Sequence, residues 1–491
     1  MSKRSKTSNL YLFLRKIPHL SSISRLADDL GIKVWLVGGA LRDFCLNRGD
    51  DLVDFDFCVE KKTTLLVKKF ARKISSKFIV LDAKEESLRV ILKHKGFIYT
   101  YDFTRMRSKS FLKDLALRDF TINTLAVDLG IKNPVLQDNF GANKDLRARV
   151  IRAVGKGVIA QDPVRILRGF AFMVNYDFRI ENKTLKIMAD SKGLIKKSSP
   201  ERISEELFKI FKSRDSYQAI KIMSKAKIID QVMPYIDKTR GVHQGDFHHL
   251  DVWEHSIETL RQFELLYNRK LCKNKEIISY LDEELAQGRR RIQILKLACL
   301  LHDIGKPLAK GRLKKRTIFH THEKIGRDLA ENIANGLRIS LREKETLKKM
   351  IFWHLRPGYL ADQITPTKRA VYRFFRDTQR EGVGVVLLSL SDWRATRGPK
   401  TSEKKRKRHE RIMLSLIDDY LLSQKRKPLP KLVDGYNIMN KLNLTPGPLV
   451  GQILKKIREE QALGKISVKK EAFELAKKIV RQNKDKKRGL K

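Results

Sequence analysis

The sequence predicts an α+β protein, with strands and helices mixed over roughly the first 150 residues and helices alone after them. Two observations carry this. Five short apolar or alternating runs, at 33–37, 53–59, 78–82, 88–93 and 97–103, all precede Val150. Beyond Val150 the two-residue period fades into helical spacing punctuated by proline. A chain of 491 residues exceeds one ordinary core. Four regions are expected: 1–150, 151–240, 241–400 and 401–491.

Taken in order, the first strand (Val34, Trp35, Leu36, Val37) stops at Gly38-Gly39, and a helix is expected from Ala40. Such a turn can face backbone N–H groups toward a phosphate, although a glycine pair alone also makes an ordinary turn. Arg42, one turn into that helix, either reaches the same phosphate or is a solvated charge. In the second strand, alternation sends Val53, Phe55, Phe57 and Val59 to one face and Asp54 and Asp56 to the other. Two carboxylates spaced this way lie roughly 6–7 Å apart and repel unless a cation sits between them. Asp102 repeats the pattern in a strand that can lie beside the first pair. Three carboxylates suit a two-metal centre for phosphoryl or nucleotidyl transfer.

A helix near Thr63 follows from Leu66, Phe70 and Ile74 recurring every four residues, and Lys95-Gly96 reads as a hairpin turn. Residues 160–240 read as helices separated at Asp162-Pro163, Ser199-Pro200 and Pro234. Asp162 before Pro163 is expected to cap the next helix, with Val164, Leu167, Ala171 and Val174 as its core stripe. Residues 243–400 are expected to be helical and hold most of the histidines. RGPKTSEKKRKRHER (397–411) reads as a linker or a basic patch, and NKDKKRGLK at the end as frayed.

Lys and Arg total 104 against 56 Asp and Glu, a formal net charge of +48. That excess either solvates the surface or binds a polyanion. With 42% apolar residues the chain can still fold, so the charge does not imply disorder. Cys45, Cys58, Cys272 and Cys299 form no C-x-x-C pair, which argues against a disulfide framework or a cysteine zinc site. No apolar run approaches ~18 residues and no leader is evident, so a soluble, cytoplasmic protein without a membrane partner is expected.

The histidine-bearing region suggests a second site. His255 lies on an expected helix, His302-Asp303 ends another before Gly305 and Pro307, and His322, His354 and Asp392 follow. A lone helical histidine is usually a packed residue. An adjacent His-Asp pair with further histidines and a later aspartate reads instead as a divalent metal site.

The ordered stretches VGGALRD, DFD, LRDFTINTLAVDL (117–129), DNFGANKDLRARVIR (138–152) and QDPVRILRGFAF (161–172) resemble the motifs of the tRNA nucleotidyltransferase and bacterial poly(A) polymerase family. ERISEELFKIF (201–211) and the segment 433–466 extend the likeness over nearly the whole chain. The resemblance implies a nucleotidyltransferase head with a mixed sheet, an all-α neck, and C-terminal helices that bind tRNA. It makes Asp54 and Asp56 ligands of Mg²⁺, with Asp102 a candidate third carboxylate, and Gly38, Gly39 and Arg42 contacts of the triphosphate. Arg118 and Asp119 would contact the nucleotide sugar and phosphates; Asp162 and Arg165, helped by Arg168, would read the base edge of CTP or ATP. Gln161, Ala171 and Leu117 depart from the family pattern, as does Gly141-Ala142-Asn143. The short segment between Asp102 and Arg118 leaves CC-only, A-only and poly(A) addition open beside full C-C-A addition. Residues 241–400 resemble the HD phosphohydrolase domain. There His255, His302, Asp303 and Asp392 would hold a divalent transition metal, and His322 and His354 would serve phosphate or a second ion.

Overall fold

The computed structural model describes residues 3–48, 52–313, 316–425 and 429–488. The chain divides into two compact units, 1–232 and 233–491, so the head–neck and third–fourth region boundaries drawn from sequence fall inside units.

In the first unit all five expected strands form: β1 (Val34–Val37), β2 (Asp54–Val59), β3 (Phe78–Asp82), β4 (Ser87–His94) and β5 (Phe97–Arg105). A sixth, β6 (Ala126–Asp128), lies in a stretch too short for alternation to reveal. The sheet order is β3-β4-β5-β2-β1-β6. It is mixed because β2 and β5 run parallel while every other pair is antiparallel. Between β2 and β3 the chain crosses through the helix Thr63–Lys73, whose Leu66, Val67 and Phe70 are buried. Phe70 meets Tyr101 and Phe103 edge-on, so one face of the sheet is roofed by this helix. The β4–β5 turn has Lys95 and Gly96 both at positive φ (49° and 84°), the geometry whose twist suits a two-residue hairpin.

The helices Arg165–Tyr176 and Pro200–Lys212 follow, the latter with Pro200 in its first turn. The expected cap at Asp162 does not form. Asp162 instead closes the short helix Val158–Gln161, and its carboxylate accepts from Arg202 Nη2 at 2.7 Å. Pro163 and Val164 make a turn before the next helix, because an arginine partner outcompetes the local N–H groups.

The second unit is built on Val252–Arg269, Arg291–Leu301, His322–Gly336, Leu341–Trp353, Gly382–Ala395 and Glu403–Gln424. Asp251 caps the first of these, accepting from Glu254 N–H at 2.7 Å. Two small hairpins, Glu284–Ala286 with Arg289–Arg290 and Lys310–Leu313 with Arg316–Phe319, interrupt a region expected to be wholly helical. The charge run at 397–411 is no linker: most of it forms the first turns of the 22-residue helix Glu403–Gln424, with His409 fully buried. The last helix, Lys469–Arg488, likewise runs through residues expected to fray, while 489–491 lie outside the described residues. Among the described residues no helix is long and apolar enough to cross a membrane.

Candidate active site and candidate metal centre

The β2 alternation turns out as expected. Phe55 and Phe57 are buried, and Asp54 and Asp56 open to the other side. Asp56 stands directly opposite Asp102 on β5, and Asp54 opposite Thr100. The carboxylates of Asp54 and Asp56 make no hydrogen bond or ion pair among the described residues. Asp102 is different, because Arg89 on β4 holds both its oxygens at 2.7 Å. Desolvation by the cleft atoms crowded around Asp56, together with nearby Asp102 and Asp54, raises its carboxyl above the ordinary value against the pull of Arg118, although the residue still reaches solvent.

Asp56 and Asp102 line a cleft of about 550 Å³. Gly38, Gly39, Arg42, Arg118, Asp119, Arg165 and Arg168 line it as well. Asp54 and Asp162 are not among the lining residues. Gly38 adopts φ +80°, and a Cβ there would lie 3.0 Å from Arg118 Nη1 and 3.3 Å from Asp56 Oδ2. Only glycine lets the backbone pass this close.

The cleft arginines are mostly engaged. Arg42 is buried, donating to Asn123 Oδ1 at 2.8 Å, to both Asp43 oxygens and to Tyr176, so it is no solvated helix charge. Arg165 donates to the carbonyls of Leu117 and Val158 at 2.9 and 3.0 Å. Arg168 bridges Asp119 (3.3 Å) and Glu206 (3.2 Å). Burial alone would raise the Asp119 carboxyl, but Arg168 and the N–H groups of Asn123 and Phe120 hold it below the usual range. Glu206, Asn123 and Arg89 were not singled out from sequence. The first two lie within the quoted ERISEELFKIF and RDFTIN stretches, whereas Arg89 carries no local signal.

In the second unit His255, His302, Asp303, His322, His354 and Asp392 do converge. Two groups form whose ligand atoms lie within 4.8 Å of one another: His255, His302 and Asp392, and Asp303, His322 and His354. Asp303 joins them. Its Oδ2 lies 3.2 Å from His302 Nε2, and its Oδ1 lies 3.3 Å from His322 Nε2 and 3.7 Å from His354 Nε2. His255 Nε2 and Asp392 Oδ1 are 2.8 Å apart. The Nδ1 atoms of His302, His322 and His354 lie 3.0, 2.7 and 2.6 Å from carbonyls of Cys299, Phe319 and Ile351. Each such bond places the proton on Nδ1 and leaves Nε2 with its lone pair. All three Nε2 atoms are buried and accept no hydrogen bond. Neutral imidazoles and carboxylates turned inward this way fit a divalent metal. Burial pushes His354 down to about 3, keeping it neutral, whereas Asp303 outweighs burial at His302 and raises it. Lys306, between Gly305 and Pro307, carries no expectation from sequence, yet its Nζ lies 2.6 Å from both Asp303 Oδ2 and Gln244 Oε1. At Gly305 a Cβ would meet His322 O at 2.2 Å, so this turn also requires glycine.

Comparison with known proteins bears on both sites. Residues 34–152 match the family described as the Poly A polymerase head domain, 177–239 a probable RNA and SrmB-binding site of polymerase A, and 252–393 the HD domain. An A-adding tRNA nucleotidyltransferase of Deinococcus radiodurans is 30% identical over 449 residues, covering 89% of this chain and 93% of that one. The chain belongs to the tRNA nucleotidyltransferase family. It is a nucleotidyltransferase that also carries an HD domain. A CC-adding tRNA nucleotidyltransferase of Geobacter sulfurreducens is 28% identical, covering 93% of this chain and 94% of its own. Among solved structures, a CCA-adding enzyme in complex with CTP superposes with TM-score 0.65 at 20% identity, covering 94% and 96% of the two chains. The Thermotoga maritima CCA-adding enzyme complexed with tRNA superposes with TM-score 0.62 at 20% identity, covering 94% of each. These structures share the fold of this family member. Head and HD domains of this kind are metal-dependent, and the chain has groups suited to metal.

Proposed function

We propose that this protein adds C and/or A residues from CTP or ATP to the 3′ end of tRNA. The supporting observation is the Asp54–Asp56 pair, free of protein partners among the described residues, with Asp56 opposite Asp102 and beside the Gly38 turn. Hard, unpaired carboxylate oxygens suit Mg²⁺, which when bound lowers the pKa of the attacking hydroxyl and offsets charge on the leaving pyrophosphate. The chain's own residues do the positioning. Asp54 and Asp56 hold the ion, and Asp102, fixed by Arg89, is the third carboxylate near the hydroxyl. Gly38, Gly39, Arg42 and Arg118 face the triphosphate, and Asp119 organises Arg168 and Asn123 around the sugar. Asp162, Arg165 and Arg168 set the base edge, Asp162 through its pairings with Arg202 and Arg165. The working division is head 1–150, neck 151–240, HD domain 241–400 and a tRNA-binding C-terminal region 401–491.

Incubating tRNA that lacks its 3′ end with each NTP alone tests this reading. A defined extension of one to three nucleotides, lost in Asp56→Ala, is expected. A long adenylate ladder, or incorporation by Asp56→Ala at the parent rate, would overturn it.

A second activity is proposed for the HD domain, because two ligand groups meet at Asp303. A transition-metal ion there would act as a Lewis acid on a phosphate ester. Asp303→Asn is expected to abolish tightly bound metal, measured by elemental analysis, together with phosphatase activity on RNA phosphate ends. Nucleotidyl transfer should stay within about twofold of the parent rate.

A further inference from the structure

The face of the head sheet that bears the carboxylates continues beyond them. Asp56 faces Asp102, Asp102 faces Arg89, and Arg89 faces Ile79 across four strands. The neighbouring row runs Asp54, Thr100, Ile91, and beyond it Ile98 faces Lys93. Directly opposed residues share a face, so Ile79, Ile91 and Ile98 stand on the carboxylate side. They are 51%, 37% and 55% exposed. The opposite face, with Phe55, Val90 and Tyr101, is buried beneath the Thr63–Lys73 helix. Three aliphatic side chains thus lie open on the sheet beside the carboxylates, flanked by Arg89 and Lys93.

We propose that this shelf seats the 3′-terminal nucleotides of the RNA primer, with a base against Ile91 and Ile98 and a phosphate beside Lys93. The inference rests on the transfer reading above. In that reaction the primer 3′-oxygen bonds to the α-phosphorus as the bond from that phosphorus to the pyrophosphate oxygen breaks. Pyrophosphate leaves with the electron pair, and the hydroxyl proton passes to water. Entering and leaving oxygens lie in line, so primer and pyrophosphate occupy opposite sides of the carboxylates. The Gly38 turn follows β1, on one side of β2; the primer therefore comes over β5 and β4 on the other. Exposed aliphatics cover the apolar face of any base and cations pair with phosphate, which is recognition without sequence readout. Three isoleucines are too small a patch for a stable protein interface.

The test uses the full chain with Ile91→Ser/Ile98→Ser. The control is Leu65→Ser, an exposed residue on the helix that covers the opposite face. The double variant should raise KM for the tRNA primer about tenfold, leaving KM for NTP and the melting temperature unchanged. A 4-thiouridine at the primer end should crosslink to β4 or β5 in the parent and control but not in the double variant. An unchanged primer KM, or crosslinks elsewhere, overturns the shelf and leaves the transfer site standing. A drop in molecular mass by light scattering with primer KM unchanged would make the patch a contact between copies, and also overturns it. Failure of the transfer reading is separate, since it appears as incorporation by Asp56→Ala.

Discussion

At Gly38 one missing carbon decides whether the cleft can form. Its φ of +80° with ψ of −130° is a region sparsely populated by L-residues, costing about 1–3 kcal/mol, and an added Cβ would press on Arg118 and Asp56. Gly39, already helical, would place its Cβ an ordinary 3.6 Å from Arg42 Nη2. Gly38→Ala is therefore expected to lower kcat for NTP incorporation about 100-fold, and Gly39→Ala severalfold at most. Steady-state kinetics beside thermal melting separates this from simple destabilisation, because the melting temperature should move by only a few degrees. The pairwise alternation of Asp54 and Asp56 was legible in sequence, since a strand's period alone decides which side a residue faces. The partners of the same groups were not. Arg89 lies 13 residues from Asp102 and meets it only through strand pairing. Asp162 is turned from its expected cap by Arg202, 40 residues away.

Elements show the same limit. The five longer strands were readable because each carries its own pattern, whereas β6, three residues long, is defined by its pairing with β1 and a bridge to Gln137. The 397–411 charge run misled because composition reports solvation and says nothing of the buried stripe of His409, Met413, Leu416 and Ile417 beneath the lysines. The C-terminal helix Pro448–Ala462 carries a prediction of its own. Glu459 hydrogen-bonds Arg373 and also pairs with Lys456, Arg369 and Arg376. This cluster lowers its pKa from 4.5 to about 2. A pKa lower in the folded state means the unfolded state binds the extra proton. The stabilisation is thus full above pH 4.5 and fades as pH falls toward 2. Hydrogen exchange of the helices Lys368–Thr378 and Pro448–Ala462 should accelerate between pH 5 and pH 3 relative to the trend of Glu459→Gln. That excess corresponds to about 2 kcal/mol. Parallel profiles for the two proteins would show that the arginines merely solvate the carboxylate.

For the whole molecule, the excess of 48 positive charges has a bland meaning and a functional one, and salt separates them. Charge that only solvates the surface leaves RNA affinity weak and its salt dependence shallow. Charge that neutralises phosphates releases bound counterions, so log affinity falls linearly with log salt in proportion to the phosphates contacted. Many cations in the second unit are already spent on carboxylates, as Arg369 and Arg373 are on Glu459. Such pairs are already cancelled in the net figure of +48, so the contact number is set by the remaining cations that reach the RNA. About six phosphate contacts would weaken tRNA binding roughly 10³-fold between 50 and 200 mM salt. Fluorescence anisotropy with tRNA over that range measures the slope directly. Lys93→Ala should make it shallower by about one unit, because Lys93 is placed at a primer phosphate. Leu65→Ser, which changes no charge, should leave it unaltered. A slope near zero in the parent protein would assign the basic excess to solvation and leave recognition of tRNA to shape alone.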